Sequence, residues 1–265
     1  MPLAVEQIRR MRGGAQAQLM RCADEAYYVV KFQNNPQGVR ILANELLGTR
    51  LAARLGLPTA GAAVVEVREE LIEHTDELEI QLGRGRARCK PGLQFGSRYP
   101  GSPAETVVYD FLPEEQLRAS PNLSDFCGML VFDKWTCNTN GRQAVFFRAR
   151  SEAPYRAQMI DQGFCFNAGE WNFPDAPLRG LYARHGVYAS VRGIESFEPW
   201  LARIETKISE AALEDAASEI PPEWYNFDPD ALEQLLENLL RRRNRVRELI
   251  VSAWKSSAEP FPNWK

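Results

Sequence analysis

Four places along the 265-residue chain bring together residue types that could do chemistry. The first is GGAQAQ (13–18), a glycine pair with Gly13, Gly14, Ala15 and Gln16 ahead of a Tyr/Val-rich stretch that ends in Lys31. Glycines let backbone approach a phosphate closely, and loop N–H groups then bind its oxygens. Taken alone, such a pair equally describes a flexible linker. The second is Lys31 together with Glu45. On a helix, Glu45 shares the side of Ile41 and Leu42. A carboxylate among apolar neighbours needs a partner, and Lys31 is a natural one. The third is DKWTCNTNGRQAVFFR (133–148), where acidic and amide residues crowd the end of an apolar run. Asp133 and Asn138 have the D-x-x-x-x-N spacing in which an Asp receives a hydroxyl proton and an Asn binds metal. Helix capping and turn formation are the plainer reading of the same residues. The fourth is MIDQGF (159–164), with Asp161 two residues before Gly163 after an apolar strand. It suits a metal-holding carboxylate, or simply a strand-to-turn aspartate. The order of the four is more specific than any single member.

For these residues to meet, the elements between them must fold back on one another. AYYVVKF (26–32) reads as a strand and QNNPQG (33–38) as a loop. Leu42, Leu46, Leu47, Leu51 and Leu55 predict a helix over 39–55, with Gly56 as its stop and Pro58 beyond. GAAVVEV (61–67) returns to strand character. The charged stretch 68–88, with Gly83 and Gly85, suggests a hairpin or mobile loop. FGSRYPGSP (95–103) is rich in Gly and Pro and reads as a connection between two lobes. LSDFCGMLVFDKW (123–135) reads as a buried helix, and AVFFRAR (144–150) with AQMIDQG (157–163) as a strand pair. Leu232, Leu235, Leu236, Leu239, Val246 and Ile250 form one helical stripe near the C-terminus.

Composition removes several classes of chemistry. His74 and His185 are the two histidines, too few for a multi-His metal centre and an unpromising basis for a His-based triad. Cys22, Cys89, Cys127, Cys137 and Cys165 are scattered and form no CxxC pair, so reduced buried thiols in a cytoplasmic protein are expected. No apolar run is long enough to span a membrane, and the N-terminus lacks a signal-peptide pattern. The charge sum is 32 − 35 = −3, so a dedicated nucleic-acid partner is not expected. The basic run RRRNRVR (241–247) reads as a solvated helix face paired with Glu233, Glu237 and Glu248. Trp224 and Trp254 are expected in the core.

The set of motifs, in this order, resembles the HipA-like kinases, and is most similar to the short, stand-alone HipA-like kinase domain proteins. The resemblance rests on GGAQAQ, VVKF, NELLGTRLAARLGLP, FGSRYP, YDFLP, DKWTCNTNGRQAVFF, MIDQGFCFN and IPPEWY, which run through most of the chain. It implies an α+β, bilobal protein-kinase-like fold in one domain, with a small β-rich N-lobe over about 1–99 and a mainly helical C-lobe over about 100–265. It implies ATP and magnesium as cofactors and γ-phosphoryl transfer to a hydroxyl on a protein or small-molecule acceptor. By position, Gly13, Gly14, Ala15 and Gln16 would cover the phosphates, Lys31 would touch ATP oxygens with Glu45 as its ion partner, and Asp161 would hold magnesium. Gln94 to Gly96 would supply the backbone contacts to adenine.

The catalytic loop departs from that pattern. Aligned on Asn138 and Thr139, Asn140 stands where the family's catalytic Asp belongs, and Val145 where its metal-binding Asn belongs. A neutral amide cannot accept a proton as a carboxylate does. Three readings follow: Asp133 replaces the base with Asn138 as metal ligand; Asn140 only orients the acceptor hydroxyl; or the chain binds nucleotide with little or no catalysis. The competing functions are a Ser/Thr protein kinase, a pseudokinase acting as a regulatory module, and, from a likeness of the loop to type II lipid kinases, a lipid or small-molecule kinase.

Overall fold

The computed structural model describes residues 1–151 and 154–265. The chain opens with three antiparallel strands, β1 (Ala4–Arg10), β2 (Gln18–Cys22) and β3 (Tyr27–Lys31), followed by the helix α1 (Arg40–Arg54). Next come β4 (Ala62–Val67), the short helix α2 (Glu69–Glu73), the hairpin β5 (Glu79–Leu82) and β6 (Gly85–Arg88), and β7 (Gly92–Arg98). Together they build a five-stranded sheet in the order β1-β2-β3-β7-β4, with β5-β6 as a separate ribbon.

A second sheet, β10-β9-β8, follows. It consists of β8 (Thr106–Tyr109), β9 (Gln143–Ala149) and β10 (Arg156–Ile160). Around it lie α3 (Glu114–Arg118), α4 (Asp125–Thr136), α5 (Glu198–Lys207), α6 (Glu210–Ala217), α7 (Pro229–Arg242) and α8 (Val246–Trp254). The second sheet meets the segment leading into β4 where Met159 N–H donates to Pro58 O at 2.8 Å.

Period-2 alternation in β3 turns Tyr28 and Val30 into a small core beneath the first sheet, with Met20, Val65 and Val67. Val29 and Lys31 then face the opposite side, above the gap between the sheets. α1 ends as its sequence predicts. Gly56 takes a positive φ of 79°, and the N–H of Leu57 returns to Ala52 O at 3.0 Å. Although it lies among the strands in sequence, α1 belongs to the larger core. Leu42, Leu46, Leu47 and Leu51 pack in one cluster with Phe126, Leu130, Trp135 and Trp224 of the helical part. Trp224 also donates from Nε1 to Leu93 O in β7 at 3.1 Å, tying the two parts together.

Helix α4 is buried along nearly its whole length, including Asp133 and Lys134. Such charges persist inside only when satisfied. Lys134 Nζ donates to the carbonyls of Ala176, Pro177 and Arg179, while burial pulls its pKa down to about 8.

Several expectations change against this architecture. Residues 1–25, to which the sequence pattern assigned no element, hold β1 and β2. Residues 95–98 lie in β7 rather than in a connection, which begins only at Tyr99. The single C-terminal helical stripe is two helices, broken at Arg243–Arg245. The basic run is not wholly a solvated face. Arg242 is buried on Asp175 and on the carbonyls of Lys134 and Trp135, whereas Arg241 pairs with Glu237 and Arg245 with Glu248. All five cysteines are buried, free thiols.

Candidate functional site

Between the two sheets lies a cleft of about 720 Å³. Its roof is the loop from Met11 to Ala17, closed by Met11 N–H donating to Ala17 O at 2.8 Å and by Gln16 N–H donating to Gly13 O at 3.1 Å. Gly13 has φ 124°, a region essentially reserved for glycine. Among the described residues, the N–H groups of Gly13, Gly14 and Ala15 have no acceptor in the chain, as a phosphate-binding loop requires. Gln16 braces this loop: its side chain exchanges two hydrogen bonds with the backbone of Gln81 on β5, both 2.8 Å.

At the back of the cleft, Lys31 Nζ bonds Glu45 Oε1 and lies 2.8 Å from Asp161 Oδ1. Glu45 is fully packed, while Lys31 and Asp161 keep a narrow exposed edge toward the cleft. Burial alone would lower the Lys31 pKa, but the two carboxylates outweigh it and raise it above the ordinary lysine value. Burial raises the carboxyl of Glu45 despite the ammonium beside it. At Asp161 burial acts upward too, but Lys31 wins and holds it below the usual range.

A second function of α1 was not read from the sequence. Asn44, next to Glu45, donates to the carbonyls of Gly163, Cys165 and Ala168, and accepts from Trp171 Nε1. Glu45 Oε2 accepts the N–H of Gln162 at 3.0 Å. The pair Asn44-Glu45 therefore fixes the chain just beyond Asp161, where Asp161 itself has φ 61° and Phe166, Asn167 and Ala168 are all left-handed. Gly163 is required there, since a Cβ would fall 2.7 Å from Ile41 Cγ2. The sequence signal was an amide buried on the apolar side of a helix.

The floor is the β9–β10 pair. Gln143 and Val145 stand opposite Ile160 and Gln158 and line the cleft with Asn140. Asn140 Oδ1 accepts the N–H of Gly141 at 2.9 Å.

Two candidates do not belong to this surface. Asp133, the candidate replacement base, has no exposed side-chain area. It is clamped by Arg142 through Nε at 2.8 Å and through the second guanidinium nitrogen, and it accepts Asn138 Nδ2 at 3.0 Å. Asn138, proposed as catalytic and metal-binding, commits its other end to the N–H of Asn140 at 3.1 Å. In this structure both are committed to shaping the loop, and neither lines the cleft. Of the expected adenine-contacting residues Gln94 to Gly96, Phe95 lines the cleft and the other two do not. Gln94 is buried, accepting from Gln33 N–H and donating to Lys90 O, and Gly96 sits mid-strand under Val65 and Tyr28. Ser97, Arg98 and Tyr99 line the cleft where the chain leaves the sheet.

The magnesium seat expected on Asp161 and Asn138 is thus reduced to Asp161, with Val145 exposing only methyl groups nearby. Among the described residues, no cluster of three or more His, Cys, Asp or Glu side chains could hold a metal. The ligand pair expected for magnesium, Asp161 with Asn138, is not assembled, because Asn138 is spent within the loop.

A glycine-loop roof, a strand lysine on a helix glutamate, and an aspartate below them give the cleft a kinase-like arrangement. The chain belongs to the HipA-like kinase family, which matches residues 4–168, from β1 through the segment after Asp161. No curated protein matches the sequence at a significant level. Among solved structures, the chain is similar to the Helicobacter pylori proinflammatory kinase CtkA at 13% identity, with a TM-score of 0.62, covering 96% of this chain and 97% of that one. It is also similar to the Golgi casein kinase with Mn/ADP bound, at 14% identity and a TM-score of 0.57, covering 96% and 74%. Hydra Fam20 with sugar follows at 10% identity and a TM-score of 0.51, covering 99% and 87%. The fold is therefore the α+β, protein-kinase-like one that the motifs implied. Among the described residues, no helix is long and apolar enough to cross a membrane.

Proposed function

We propose that this kinase-family chain binds ATP in the cleft and transfers its γ-phosphoryl group slowly to a hydroxyl acceptor, a Ser or Thr side chain of a protein. The observation that carries the reading is Lys31 held between Glu45 and Asp161 at the back of the cleft, beneath a loop with free N–H groups. The loop N–H groups and Lys31 would bind the phosphate oxygens. Glu45 keeps the ammonium charged and aimed. Phosphoryl transfer depends mainly on positioning and charge stabilisation, so Asn140 would contribute by orienting the acceptor hydroxyl through its amide, without taking the proton. That limits turnover, since a positioned base typically adds about 10²–10⁴-fold. The Golgi casein kinase structure with Mn/ADP bound supports nucleotide use by this fold.

Asn140 and Val145 favour a second reading, nucleotide binding without turnover. The decisive experiment is γ-phosphate transfer by the purified chain and by Asn140→Asp. A gain of at least about tenfold in Asn140→Asp, abolished by adding Asp161→Ala, supports an attenuated kinase. ATP binding with no transfer by either protein supports the pseudokinase. A chain that binds no ATP at all sinks both.

A further inference from the structure

The cleft carries positive charge that the Lys31 triad does not use. Arg9, Arg12 and Arg98 line it together with Lys31, against the carboxylates Glu45, Asp110 and Asp161. Among the described residues, none of these three guanidinium groups has a hydrogen bond or an ion pair. Elsewhere the chain pairs its surface arginines freely: Arg21 with Glu6, Arg50 with Glu219, Arg54 with Asp215, Arg247 with Glu198. Arginines left without an acceptor around one concave site point to an anionic ligand.

Their placement says which part of that ligand they meet. Arg9 lies on β1 opposite Leu19, which in turn pairs with Val29, so it lines the cleft two strands away from β3. Arg12 precedes Gly13 in the roof loop. Arg98 pairs with Tyr28, at the opposite end of β3 from Lys31. Arg12 thus belongs to the roof loop and Arg9 leads into it from β1, while Arg98 stands where β7 leaves the sheet.

The metal side of the same site is depleted. Asp161 already faces Lys31, Val145 offers no ligand, and both ends of the Asn138 amide are spent. A divalent ion on nucleotide phosphates is normally held by one or two protein carboxylates and neutralises the phosphate charge. Guanidinium groups do the second job directly, through paired N–H donors on phosphate oxygens.

We infer that this cleft holds the triphosphate through Arg9, Arg12 and Lys31, and that nucleotide binding needs no divalent metal. The inference rests on the reading of the cleft as a nucleotide site. Isothermal titration of ATP into the full chain, in excess EDTA and in excess magnesium, tests it. The two dissociation constants are expected to agree within about threefold. Arg9→Ala/Arg12→Ala is expected to weaken binding in EDTA by at least about tenfold, as loss of charge-assisted bonds implies. Arg84→Ala, at the exposed β5–β6 turn outside the cleft, is expected to leave it unchanged. Binding that vanishes in EDTA and returns with magnesium overturns the inference while keeping the nucleotide site. So does unaltered binding by the double variant in EDTA. Absence of ATP binding in both buffers overturns the nucleotide site itself.

Discussion

Asp133→Asn separates a base from a strut. In the structure the carboxylate has no exposed surface, and neither has its partner Arg142. Arg142 gives two bonds to Asp133, one to Ile160 O at 2.7 Å and one to Gln162 Oε1 at 2.8 Å. Burial would lower the Arg142 pKa, but the carboxylate overrides it, and the guanidinium stays charged with its pKa raised. Replacing the carboxylate by an amide therefore leaves a buried cation uncompensated. Breaking a buried ion pair from one side costs about 3–5 kcal/mol, against about 1 kcal/mol or less for an exposed pair such as Arg118 with Glu114. With a urea dependence of about 1–3 kcal/mol per molar, near the upper end for a chain of this size, the unfolding midpoint should fall by roughly 1–2 M. Ile160 and Gln162 flank Asp161, so activity should fall as well, but together with stability. The assay is urea unfolding followed by tryptophan fluorescence, run beside phosphate transfer. A variant with the parent's midpoint and no transfer would refute the reasoning and return Asp133 to the role of base.

Other perturbations act on separate parts of the molecule. Lys31→Met should abolish stabilisation by ATP, which for the parent reaches about 2.7 kcal/mol at a hundredfold excess over Kd; thermal shift with and without nucleotide checks it. Burial pushes the thiols of Cys22, Cys89 and Cys127 up to about 12. Because these folded values are raised, their contribution is complete below the unfolded thiol pKa of about 8.5 and is lost as pH climbs toward 12. Stability at about pH 10 should be lower by on the order of 2 kcal/mol per thiol, and urea midpoints that stay level from neutral to alkaline pH would contradict this. A Cβ on Gly128 would meet the Trp200 ring at 2.4 Å. Gly128→Ala should cost about 1–3 kcal/mol by overpacking, read as a drop of about 2–4 °C in Tm per kcal/mol.

What was legible in the sequence follows from how local each signal is. Glu45 announced its need for a cation because a carboxylate among Ile41, Leu42 and Leu46 has no other means of entering a core. Lys31 was within reach because only the loop 32–39 separates β3 from α1. The same argument, applied consistently, would have found Asp133 out. It lies in a helix that is apolar on every side, so its partner had to be buried with it, and Arg142 nine residues on was the candidate. The D-x-x-x-x-N spacing hid this, because spacing along the chain carries no information about which way a side chain points. The strands β1 and β2 escaped notice for a different reason. β1 exposes most of its side chains, with Glu6, Arg9 and Arg10 among them, as an edge strand protected by charge does. β7 was masked by Gln94 and Gly96, residues that look like a connection. Gly96 is there because Val65 and Tyr28 fill the place of its side chain, and Gln94 because Gln33 N–H and Lys90 O require a partner. The lobe boundary read near Tyr99 marks where the first sheet ends, yet α1 packs into the core of the helical part. Glu45 is thus anchored with the segment that carries Asp161, while Lys31 rides on the sheet above. The ion triad therefore joins the first sheet, α1 and the end of the second sheet at the back of the cleft, where the proposed nucleotide phosphates would lie.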